Sequence, residues 1–178
     1  MMAKAIFQNK SSQRLLNVVM FQLGWWLLVL KGNNAIAFAS ILILMHFVIF
    51  PNKSKDFLLI MILVPMGIIL DFCLTKAEIF QFTTVPYWLA VLWVLFILTY
   101  NHSLFIFQRW HIWKQTLIGG LFGPLSYYAG SQLDAVTLPQ GNAISLFILV
   151  LVWSLFFPSS LNLARRINDY KSKTKLKE

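Results

Sequence analysis

Residues 144–153 read ISLFILVLVW, a run that is apolar on every face. A strand of a membrane barrel alternates apolar and polar residues at period two over about 10 residues. A helix satisfies its own backbone hydrogen bonds and tolerates apolar side chains all round. The run therefore reads as helix. Extended to residues 143–161, and entered through the turn Pro139-Gln140-Gly141-Asn142, it approaches the roughly 20 residues needed to cross about 30 Å of hydrocarbon. Five further runs obey the same rule. They are 15–30, closed by Lys31-Gly32-Asn33-Asn34; 35–50, closed by Pro51-Asn52; 57–74, with Asp56 as N-cap; 86–107, opening on Pro86; and 115–133, the least apolar. The expected fold is all-α, a polytopic membrane bundle of six transmembrane helices in residues 1–161, followed by a basic tail at 162–178.

Composition supports that reading. Of 178 residues, 58% are apolar and 12% charged, where a soluble domain carries about 25% charged residues. Disorder is excluded, and so is a disulfide scaffold, because Cys73 is the single cysteine. The net charge of +9, on a chain this apolar, points to anionic lipid headgroups rather than nucleic acid.

The basic residues orient the bundle. With six spans, Lys4, Lys10 and Arg14 share one side with Lys53, Lys55, Arg109 and Lys114, and with Arg165, Arg166, Lys171, Lys173, Lys175 and Lys177 of the tail. The opposite side holds Lys31 and Lys76. The positive-inside rule puts both termini in the cytoplasm. The basic start and first apolar run imitate a signal peptide, but Ala35-Ile36-Ala37 opens the next span instead of closing the first. The tail reads as a topology anchor that also meets anionic headgroups.

Polar groups in hydrocarbon are costly and face the bundle interior. Asn17, Gln22, His46, Asp71, Thr99, Asn101, His102 and Ser103 lie in the apolar runs, and Asp134 lies just past the fifth. Thr99, His102 and Ser103, at i, i+3 and i+4, would share one helical face. His46 and His102 fall at matched depth near the inner surface, while Asp71 and Asp134 belong to the outer half. Gly119 and Gly123 form a small-xxx-small pair, with Ser126, Tyr127 and Gly130 beyond it. Pro65 and Pro124 interrupt their spans and leave carbonyls without an amide partner.

Inventory removes several chemistries. There is no HExxH, GxSxG, P-loop or dinucleotide fingerprint, and no recognisable metal-ligand spacing. No catalytic residue, cofactor or metal is assigned. One cofactor option remains: His46 and His102 as axial ligands of a b-type haem, if the two spans face each other across a gap wide enough for the macrocycle.

Several stretches carry a family likeness: Asn17 with Phe21-Gln22-Leu23-Gly24-Trp25, Asp71, Pro86-Tyr87-Trp88-Leu89, Thr99-Tyr100-Asn101-His102-Ser103-Leu104, and Gly123-Pro124-Leu125-Ser126-Tyr127-Tyr128-Ala129-Gly130. Over roughly residues 15–161 the chain resembles the bacterial inner-membrane family numbered 2878 among domains of unknown function. The resemblance implies a multi-pass inner-membrane protein with no assigned activity, encoded near lipid-modifying functions. It singles out Asn17, Gln22, Asp71, Asn101, His102 and Tyr127.

Three roles then compete. The favoured one is a non-enzymatic accessory or lipid-binding protein of membrane-lipid or envelope physiology, its protein partners unidentified. The second is a small transporter, with Pro65, Pro124, Asp71 and Asp134 shaping an outer vestibule and His102 an inner proton site. The third is an intramembrane lipid-modifying enzyme. Depth places Asp71 about 10–20 Å from His102 at helical rise, so His102 would have to work with Asn101, Asn17 or His46 instead.

Overall fold

The computed structural model describes residues 9–174. Among them run six α-helices: α1 (Lys10–Lys31), α2 (Ile36–Ile49), α3 (Lys53–Lys76), α4 (Tyr87–Ile97), α5 (Ile112–Gln132) and α6 (Asn142–Thr174). Two 3-10 helices occupy Gly32–Ala35 and Leu104–Arg109. The described residues contain no named strand, and Gln81 and Thr137 form an isolated antiparallel bridge. The chain divides into two compact units. The first is the described part of Met1–Pro65 with Tyr87–Ile106, and the second is Met66–Pro86 with the described part of Phe107–Glu178.

In the first unit, α1 opens on Asn9, whose side chain accepts a hydrogen bond from the Ser11 amide at 3.0 Å. It stops at Gly32, which takes φ +55°, a conformation that costs glycine little. The chain then folds back as α2. Gly24 of α1 faces Leu42 of α2 and Leu95 of α4, and a Cβ there would collide with the Leu95 side chain. A Cβ-free position thus lets α1 approach both neighbours. Asn33 in the turn accepts from the Trp88 amide at 3.0 Å and ties the hairpin to the start of α4. The first half of α3 follows Asn52, whose carbonyl accepts from the amides of Lys55 and Asp56 at 2.8 and 3.1 Å. Asp56 therefore lies inside the first turn and is not the N-cap that the sequence suggests.

The expected single helix over 86–107 is also corrected. α4 ends at Ile97, and the backbone tightens through bonds from Thr99 to Phe96, Tyr100 to Ile97 and His102 to Thr99. Side chains take over carbonyls that a helix would use. Thr99 Oγ1 donates to Phe96 O at 2.6 Å, and Asn17 Nδ2 donates to Leu98 O at 3.3 Å. Local polar side chains compete with the helical ladder, and here they displace it. Thr99, His102 and Ser103 consequently share a turn and not a helical face.

In the second unit, α5 and α6 pack antiparallel. Gly119 lies against Phe157, and Gly123 against Trp153. Side chains at these glycines would overlap the opposing helix, so the small-xxx-small pair seats one helix directly on another. The loop after α3 is pinned to the loop before α6. Gln81 and Thr137 exchange backbone bonds at 2.9 and 2.8 Å, and Ser145 Oγ donates to Ile79 O at 2.7 Å. α3, α5 and α6 continue through Pro65, Pro124 and Pro158. α6 also passes the expected boundary at 161/162 without a break. At about 1.5 Å per residue, its 33 residues extend well beyond a hydrocarbon core. Lys4, Lys175 and Lys177 lie outside the described residues.

Three stretches are long and apolar enough to cross a membrane: Lys10–Ile49, Lys53–Lys76 and Asn142–Tyr170. The first includes the reversal at Gly32. α2, with 14 residues, and α4, with 11, are each shorter than a lone crossing needs. Large apolar side chains stand exposed along these helices, with Val48 at 79% and Leu155 at 72%. Exposed apolar surface on this scale marks a membrane-facing protein.

Candidate functional site

Asp56 is the hub of a buried polar cluster in the first unit. Its Oδ2 lies 3.1 Å from Nε2 of His46 and 3.0 Å from Nε2 of His102. Its Oδ1 accepts from Nδ2 of Asn101 at 2.7 Å. His46 comes from the last turn of α2, Asp56 from the first turn of α3, and Asn101 and His102 from the turn after α4. Their relative exposures are 2% for His46, 3% for Asp56 and 8% for His102.

Aromatic rings enclose the group. Phe50 stacks on His46 with centroids 4.6 Å apart and 25° between planes, and tilts against His102 at 4.7 Å. The two imidazoles meet edge to face at 4.9 Å and 78°. A buried carboxylate is tolerated only when its lone pairs are engaged, and here three nitrogen-bearing side chains engage them. The first-turn position of Asp56 adds the favourable end of the α3 dipole.

Asn17 braces the turn that presents His102. Its Oδ1 accepts from Ser103 N at 3.3 Å and Ser103 Oγ at 2.6 Å, while its Nδ2 holds the Leu98 carbonyl. Asn17 is 2% exposed. Thus Asn17, His46, Thr99, Asn101, His102 and Ser103 gather in one unit.

The other singled-out residues behave differently. Gln22 is exposed on α1. Asp71 is buried in the second unit, where Tyr127 Oη donates to its Oδ1 at 2.5 Å, and Phe80 packs on the Tyr127 ring at 4.9 Å. Ser126 is half-buried on α5, and Gly130 closes that helix by accepting from the amides of Leu133 and Ala135. Asp134 is exposed with φ +57°, the left-handed conformation that Asp adopts locally at turns. It ends a helix and does not line a polar interior.

Haem does not fit this centre. Axial ligation sets two imidazoles on opposite faces of a macrocycle, whereas here both Nε2 atoms converge on one carboxylate oxygen. Asp56 is the residue that sequence reasoning missed. Its charge had a ready explanation as a helix cap. The missed signal was position: His46 lies near the close of one apolar run and Asp56 just before the next opens, on either side of Pro51-Asn52.

The model of a family described as "Protein of unknown function (DUF2878)" matches residues 14–159. The chain belongs to this family. The resemblance drawn from the Asn101-His102-Ser103-Leu104 and Gly123–Gly130 stretches is thereby confirmed. Asn17, His46, Asp56, Asn101 and His102 all lie within the matched DUF2878 region. No curated protein and no solved structure matches the chain.

Proposed function

We propose that the protein is a non-enzymatic accessory of the bacterial inner membrane, acting in membrane-lipid or envelope physiology, with the Asp56 centre as its functional seat. The observation that carries this reading is the closure of that centre. Three ionisable side chains from separate elements meet beneath Phe50 with little exposure. Such a site suits a small occupant and the fixing of α2, α3 and α4 against each other, more than turnover of a lipid. Lipid contact falls instead to the exposed apolar faces of α1, α2, α3 and α6 and to the basic end of α6.

In this reading the chain threads the bilayer six times with both termini cytoplasmic. Residues 86–109 make one passage as α4 followed by a turn and a 3-10 helix. Non-helical backbone at membrane depth is admissible where protein buries and bonds it. Asn17 and Thr99 supply those bonds. The centre then lies at the cytoplasmic end, near Lys53 and Lys55 at the start of α3.

The test is complementation of a deletion strain, read as its phospholipid and fatty-acid profile. The intact gene should restore the profile, and Asp56→Asn should fail although the variant protein accumulates in the membrane and elutes as a single species. Full restoration by Asp56→Asn would remove the centre from the function.

A further inference from the structure

We infer that His46, Asp56 and His102 form a binding site for one divalent first-row transition ion, of the Zn2+ class. This rests on the preceding reading that the centre takes a small occupant. Each of the three residues offers one ligand atom, and these atoms lie within 4.8 Å of one another. Bonds of about 2.0–2.2 Å from one zinc ion set its ligand atoms roughly 3–4 Å apart. Small side-chain rotations bring the three atoms to that spacing.

The donor set selects the ion. Mg2+ and Ca2+ take oxygen ligands throughout. Two imidazole nitrogens and one carboxylate oxygen suit Zn2+, Fe2+ and their neighbours, and leave further coordination positions open. The surroundings resemble a metal site's outer shell. Asp56 turns Oδ2 toward the two Nε2 atoms, while Asn101 holds the other oxygen, Oδ1, at 2.7 Å. A hydrogen bond to the non-ligating oxygen fixes the carboxylate's direction.

Burial supplies a further argument. The Asp56 carboxylate is 3% exposed, and a buried carboxylate is costly at membrane depth. A divalent cation held by all three groups offsets that cost. The sequence separation of the ligands explains why no spacing motif announces the site: ten residues part His46 from Asp56, and 46 part Asp56 from His102.

The experiment uses the full chain, purified in detergent, stripped with a chelator and titrated with Co2+ as a spectroscopic probe. The expected result is one equivalent bound per chain, with d–d absorption that Zn2+ abolishes by displacement. His46→Ala and His102→Ala should each lose the signal. Asn101→Ala should bind about 10–100-fold less tightly. His111→Ala, at an exposed position before α5, should bind normally. His102→Cys guards against mere misfolding, since it should still bind Co2+ and add a thiolate charge-transfer band in the near ultraviolet. Absence of stoichiometric binding by the folded wild-type chain overturns the inference. So does binding that survives both alanine variants, or that His111→Ala also abolishes. If the wild type binds Co2+ while Asp56→Asn complements the deletion fully, the metal site stands and the functional reading falls.

Discussion

Asn17 shows how much one amide can decide. It takes the Leu98 carbonyl and returns an acceptor to Ser103, so the chain after α4 turns instead of continuing as helix. Asn17→Ala leaves these buried groups without their partner, at a cost of about 1–3 kcal/mol. The expected outcome is faster hydrogen exchange at the Ser103 amide and a lower unfolding temperature in detergent. Tyr127→Phe removes the hydroxyl that donates to Asp71 Oδ1, and a hydrogen bond to a charged group contributes about 1.5–3 kcal/mol. The same thermal measurement should show that loss, with α5 still helical by circular dichroism. At this scale a polar group in an apolar run is an uneven signal: Asn17, His46 and His102 are buried, whereas Gln22, in the same run as Asn17, is exposed, as is Asp134. Runs that are apolar on all sides have no marked polar face, so periodicity cannot say which side of the helix turns inward.

The helices themselves were legible from apolar length, and their ends less so. The passage at 86–107 looks uniform in hydropathy, yet α4 stops at Ile97, where the Thr99 hydroxyl takes the Phe96 carbonyl and the remote Asn17 takes that of Leu98. No local propensity encodes a hydrogen bond from Asn17. The α5–α6 pair was more open to reading, since Gly119 and Gly123 announce a close approach. A side chain at Gly123 would overlap the Trp153 ring, and overpacking of this kind costs typically about 1–3 kcal/mol. Gly123→Ala should therefore lower the unfolding temperature more than Ala129→Gly at a half-buried position on the same helix. Equal shifts would mean that helix propensity, not the α5–α6 contact, sets the effect.

For the whole molecule, composition identified a membrane protein, and the lysine and arginine distribution supplied an orientation that single-cysteine labelling can check. With Cys73 replaced by Ser, a cysteine at Asn34 or Gly141 should react with an impermeant maleimide on intact spheroplasts. One at Asn52 or His111 should react only after the membrane is opened. Labelling of all four from outside would refute the six-pass orientation. The Asp56 centre also has a history in time. Its contributors emerge from the ribosome in the order His46, Asp56, His102, so a nascent chain that has made only α1 to α3 holds an acid and one imidazole with no third partner. Any quality-control protease that senses an incompletely partnered carboxylate has a window lasting until residue 102 is synthesised, and chains that stall there should be the ones it destroys.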